Sequence, residues 1–76
     1  MSTTLTIPKL EMSMQEGTLA EWKVEDGAEV AVGDVIYVLE TNKTSRDIEA
    51  PAAGKLTIKA EAGETYDVGT EIGEIG

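Results

Sequence analysis

Seventy-six residues carry six basic side chains against fifteen acidic ones, a formal net charge of −9, with no cysteine and no histidine. No disulfide and no cysteine–histidine zinc site can brace such a chain, and a domain this small hides only about 60% of the surface its unfolded form exposes. A thin sheet structure with an aliphatic core is therefore expected, and a deep substrate pocket, a nucleic-acid partner and an anionic membrane partner are not. The acidity serves solubility, or steering toward a basic surface on a partner enzyme.

The chain opens with Met1-Ser2-Thr3-Thr4 running straight into strand-like Leu5-Thr6-Ile7, with no basic leader or apolar signal core. The cytoplasm is the expected location, or the mitochondrial matrix if a leader has been removed. No apolar run approaches the ~20 residues that a membrane helix needs. Turn signals follow at Glu16-Gly17, Asp26-Gly27, Val32-Gly33-Asp34, Ala53-Gly54, Ala62-Gly63 and Val68-Gly69. Between them lie short runs rich in Val, Ile, Leu and Thr, and no stretch sustains helical spacing over three turns. The reading is all-β, with many short strands.

The two halves repeat each other. Gly17-Thr18-Leu19 aligns with Gly54-Lys55-Leu56, and Gly27, Val32, Gly33 and Ile36 align with Gly63, Val68, Gly69 and Ile72. The offset slips by one residue between Leu19 and Gly27, as one insertion at a bulge or turn would make it do. Two such halves, neither able to bury a face alone, are expected to pack as a flattened barrel or sandwich of two four-stranded antiparallel sheets with pseudo-twofold symmetry, a barrel-sandwich hybrid. One domain over residues 1–76 is expected. Its halves, roughly 1–39 and 44–76, would be joined by a hairpin carrying Lys43, with the termini meeting at the other end.

The chemistry available is sparse. No side chain titrates near neutrality, no histidine is present to activate a hydroxyl, and no thiol is present. The carboxylates Asp47, Glu49, Glu61, Glu64, Asp67 and Glu71 lack calcium-loop spacing. No metal site and no independent catalysis are expected. What remains is Glu40-Thr41-Asn42-Lys43-Thr44, a polar turn between the apolar run Val35–Leu39 and strand-like Ser45-Arg46-Asp47-Ile48. An exposed turn lysine is ordinarily a solvated charge. Here small polar flanks, Asn42 and Thr44, leave the amine unobstructed, two strands would hold it rigidly, and Glu40 is the nearest acid. That suits covalent attachment of a prosthetic group.

The turn resembles the Glu-Thr-Asp-Lys-Ala turn of lipoyl domains from the acyltransferase component of 2-oxo acid dehydrogenase complexes. The opening Ile7-Pro8-Lys9-Leu10-Glu11-Met12-Ser13-Met14-Gln15-Glu16-Gly17-Thr18 is similar to that family's first strand and surface loop. So are Glu21-Trp22, Asp26-Gly27, Val32-Gly33-Asp34 and Ile48-Glu49-Ala50-Pro51-Ala52-Ala53-Gly54. Three residues depart from the pattern: Asn42 for the usual aspartate, Thr44 for alanine, and Arg46 where an apolar residue is common. Related biotinyl domains flank their lysine with methionines, which are absent here.

The resemblance implies a swinging arm: lipoate joined to Lys43 by an amide, supplying the dithiolane that this cysteine-free chain lacks. A lipoate ligase or lipoyl transferase would attach it. A thiamine-diphosphate 2-oxo acid decarboxylase would reductively acylate it, the acyltransferase core would pass the acyl group to coenzyme A, and a flavin dihydrolipoamide dehydrogenase would reoxidise the dithiol. The chain itself would be a non-catalytic module, part of a dihydrolipoamide acyltransferase of pyruvate, acetoin or branched-chain type. Glu40, Thr41, Asn42 and Thr44 would be read by the ligase or partner enzymes, and so would the loop Leu10, Glu11, Met12, Ser13, Met14, Gln15 and Glu16. Met12 and Met14 are either soft contacts or cover for a core edge, and Trp22 is expected in the core. The alternatives are a biotin carrier, told apart by which ligase modifies Lys43, and an unmodified adaptor module, in which Lys43→Arg would leave function intact.

Overall fold

The computed structural model describes residues 2–10 and 12–76. Eight strands run in chain order: β1 (Thr3–Thr6), β2 (Glu16–Trp22), β3 (Glu29–Val30), β4 (Val35–Glu40), β5 (Ser45–Glu49), β6 (Gly54–Ile58), β7 (Glu64–Asp67) and β8 (Glu71–Ile75). They form two antiparallel four-stranded sheets, ordered β1-β8-β6-β3 and β5-β4-β2-β7. Together these make the flattened barrel-sandwich expected from the sequence.

The repeat becomes a pseudo-dyad. Exchanging β1 with β5, β2 with β6, β3 with β7 and β4 with β8 turns one sheet order into the other. Each sheet therefore takes two strands from each half, so that neither half completes a sheet alone. The equivalence reaches individual atoms. Gly27 and Gly63 hold φ of 87° and 88°, and Gly33 and Gly69 hold 94° and 91°, left-handed values that glycine adopts without steric cost. The Gly27 N–H donates to the Leu56 carbonyl at 2.7 Å, and the Gly63 N–H donates to Leu19, the equivalent residue, at 2.6 Å.

The one-residue slip has a physical site. Thr18 and Leu19 pair with Glu40 and Leu39, but Glu21 pairs with Val38, leaving Ala20 as a bulge in β2. The matching stretch of β6 pairs with β8 without a break. Strict alternation from Gly17 and Leu19 would drive Glu21 inward. The extra residue turns Glu21 out to solvent and brings Trp22 toward the core instead. One pair of bulges does fall at equivalent positions, Ile36 and Ile72, both fully buried.

Twelve described residues, among them Leu5, Ile7, Leu19, Ile36, Tyr37, Leu39, Leu56, Ile72 and Ile75, fill the space between the sheets. Trp22 packs against this core as expected. Its ring lies 5.3 Å from that of Tyr37 at a tilt of 56°, and its Nε1–H donates to the Ala60 carbonyl at 3.0 Å.

Two expected turns are strand starts instead. Glu16-Gly17 opens β2 and Gly54 opens β6. Gly17 is required by packing: a Cβ there would sit 2.9 Å from both Leu39 Cδ1 and Met14 Cε. At Gly54, φ is 149° and a Cβ would come within 3.2 Å of the Gly76 nitrogen. A glycine that admits a neighbouring chain looks the same in sequence as one that admits a turn.

Candidate functional site

Strands β4 and β5 continue as a hairpin whose rungs run from Val35↔Glu49 to Glu40↔Ser45, leaving residues 41–44 as the loop. That loop is closed by its own threonine. The Thr41 N–H donates to the Thr44 carbonyl at 2.7 Å. The Thr41 hydroxyl also donates to that carbonyl at 3.1 Å, and accepts from the N–H groups of Lys43 at 3.3 Å and Thr44 at 3.2 Å. One side chain thus uses its donor and both acceptor positions on the turn that carries the lysine. Lys43, Asn42 and Thr44 are all exposed.

The loop between β1 and β2 shares a groove with this turn. The Leu10 N–H donates to Met14 Sδ at 3.2 Å, and the Gln15 carbonyl accepts from the Val68 N–H at 3.0 Å, which fixes the exit of the loop into β2. Met14 is 8% exposed and belongs to the core, filling the space that Gly17 leaves open, whereas Met12 is 93% exposed. Of the two methionines with an open assignment, Met14 is therefore the core cover and Met12 the solvent-facing one.

Between loop and turn lies an open groove of about 520 Å³. Ser13, Met14, Gln15, Glu16, Glu40, Thr41, Asn42 and Lys43, all expected in the site, line it together. Leu10, Met12 and Thr44 are not among the lining residues, and Glu11 lies outside the described residues. Three lining residues, Gly17, Thr18 and Thr65, were not expected in the site. Thr18 and Thr65 come from adjacent strands paired in register, and their hydroxyls are 2.9 Å apart. No local motif brings β7 to this place; only the pairing of β2 with β7 does.

The arrangement presents the Lys43 side chain on a hairpin loop beside the groove. Among the described residues no group of histidine, cysteine or carboxylate side chains is placed to hold a metal ion, and no helix is long and apolar enough to cross a membrane. Lys43 fits a covalently attached group. Its flanks are exposed, its backbone is tied through Thr41, and it lies at the end of a two-strand support.

Comparison with known proteins agrees with this geometry. The biotin–lipoyl family, described as biotin-requiring enzyme, matches residues 3–75. The chain is 41% identical over 70 residues to the dihydrolipoyllysine-residue acetyltransferase component of the acetoin cleaving system of Cupriavidus necator, covering 91% of this chain and 19% of that protein. It is 38% identical over 77 residues to the acetyltransferase component of the pyruvate dehydrogenase complex of Corynebacterium glutamicum, covering 100% and 11%. To the succinyltransferase component of the 2-oxoglutarate dehydrogenase complex of Staphylococcus saprophyticus it is 38% identical over 71 residues, covering 92% and 17%. The chain thus spans less than a fifth of the length of these relatives. With the match running from the first strand to the last, the chain belongs to the biotin–lipoyl family, among its lipoyl domains.

Proposed function

We propose that this chain is a lipoyl carrier module and that Lys43 is its attachment residue. The observation that carries the reading is the lysine turn itself: a single exposed lysine on a hairpin, its backbone held by the Thr41 hydroxyl, beside a groove. The relatives whose names specify a dihydrolipoyllysine residue match over nearly the whole chain. The flanking residues Asn42 and Thr44, in place of methionines, favour lipoate over biotin.

Lipoate, amide-linked to the lysine, supplies a dithiolane that accepts an acyl group and electrons. The residues of the chain do the rest by position. Thr41 fixes the direction in which the arm leaves the surface. The strands β4 and β5 remove flexibility from its base. The groove and the Ser13–Glu16 segment offer a partner enzyme a surface beside the arm. Tethering raises the effective concentration of the carried group at successive active sites, and the module itself has no catalytic role. Its partners in this reading are a lipoate ligase or lipoyl transferase, a thiamine-diphosphate 2-oxo acid decarboxylase, the acyltransferase core and a flavin dihydrolipoamide dehydrogenase. Acetoin, pyruvate and 2-oxoglutarate systems all appear among the relatives. The loop sequence favours the acetoin and pyruvate types, with the branched-chain type beside them.

The test is acyl loading. The lipoylated chain, incubated with a 2-oxo acid decarboxylase and its substrate, is expected to gain one acyl group by mass, and Lys43→Arg none. If Lys43→Arg sustains acyl transfer when placed in the full acyltransferase, the carrier reading fails and the adaptor reading takes its place.

A further inference from the structure

Arg46 stands out in an acidic chain. Lys23 is 3.1 Å from Glu21, Lys59 lies 2.6 Å from Glu71 and 3.7 Å from Glu74, and Lys55 is paired across strands with Glu29. Each of these cations has an acid beside it. Arg46 is exposed and makes no ion pair among the described residues. Its cross-strand partner is Leu39, and the acids next to it in the register, Glu40 opposite Ser45 and Asp47 opposite Val38, occupy positions that point to the other face. Arg46 is also three residues from Lys43, so that their Cα atoms are at most about 11 Å apart. From Thr41 to Arg46 the hairpin holds two bases and no acid, in a chain with fifteen acids.

We propose that Arg46 is a specificity-determining residue for attachment, and that its guanidinium engages a carboxylate on the surface of the enzyme that lipoylates Lys43. This rests on the carrier reading above and names a contact within it. The attaching enzyme is the partner to which the geometry points. To bond to Lys43 Nζ it must bring its own atoms to the base of the arm, and its surface then covers the residues flanking the lysine. Enzymes that act on the far end of the arm have no such obligation. Arginine suits the role because its planar fork bonds both oxygens of a carboxylate, which the ammonium of lysine does not. Its place on a sheet edge, with no neighbour to break, leaves it available.

The experiment compares the unmodified chain with Arg46→Lys, Arg46→Ala and Arg46→Glu as substrates of a lipoate ligase with lipoate and ATP. KM and kcat for the chain are read by intact mass at 0.1 M and 1 M salt, where the screening lengths are about 10 Å and about 3 Å. Arg46→Ala is expected to raise KM about tenfold with kcat kept, the mark of a lost docking contact. Arg46→Glu should raise it further, and Arg46→Lys should fall between wild type and Arg46→Ala. At 1 M salt the four should converge. If wild type is modified at Lys43 and all four share one KM, this inference fails while the carrier reading stands. If wild type is not modified, both fail. An arginine that only guards the sheet edge against pairing would give self-association in Arg46→Ala with KM unchanged, which also overturns the proposal.

Discussion

The hydroxyl of Thr41 makes three of the hydrogen bonds that shape the lysine turn, and valine has the same shape without them. Net contributions of about 1 kcal/mol per hydrogen bond, reduced here by solvent, give an expected loss of about 1 kcal/mol for Thr41→Val by urea unfolding. The lipoylation rate should fall as well, because the direction of the lysine is no longer fixed, and Thr41→Ser should retain most of both. Tyr37 supports a second expectation at this scale. Only 2% exposed, it has its phenol pushed up by burial from 10.0 to about 12. Between pH 10 and 12 the unfolded chain has lost this proton while the folded chain keeps it. Stability from this group is therefore complete below pH 10 and falls as pH rises through 12. The loss is at most about 3 kcal/mol. Urea unfolding at pH 9 and pH 11.5 should show a smaller alkaline loss in Tyr37→Phe than in wild type; equal losses would mean the phenol is not the cause.

The pseudo-dyad supplies an internal control for the elements. The link between β5 and β6 spans residues 50–53, whereas the equivalent link between β1 and β2 spans residues 7–15. Both connect equivalent strands, so the extra length at the lysine end is not needed to build the sandwich. Within it, Met14 is a core residue and Met12 faces solvent. Replacing residues 8–13 by a short turn while keeping Ile7 and Met14 is expected to leave a folded chain that a lipoate ligase still modifies, since the lysine hairpin is untouched. The same variant should lose most of its loading by the decarboxylase. Full loading would show that the loop has no part in recognition, and loss of folding would show that its length is structural. The fate of the two methionines was not legible in the sequence. They are the same residue type two positions apart, and only the space above Gly17 decides which of them is buried.

At the scale of the whole molecule, the architecture was legible because the duplicated turns require φ values that only glycine adopts freely, so Gly27, Gly33, Gly63 and Gly69 mark both halves in the sequence. The slip in the repeat was visible too, and it resolves to the bulge at Ala20. Less legible were the glycines that admit neighbours, Gly17 and Gly54, and the Thr18–Thr65 pair, which depends on strand register across 47 residues. The lysine and the first loop could be placed in one site from the sequence through family resemblance alone; the sandwich brings them together by setting β2 beside β4. The duplication sets an exposed lysine on the β4–β5 hairpin, and in the proposed reading chemistry is left to a group attached there. The most direct measurement of that claim is intact mass with peptide mapping after incubation of the chain with lipoate, ATP and a lipoate ligase, in parallel with biotin, ATP and a biotin ligase. A single lipoyl increment on Lys43, absent in Lys43→Arg and with no biotin taken up, is the predicted result. A folded chain that stays unmodified, or that accepts biotin at Lys43 in place of lipoate, would contradict it.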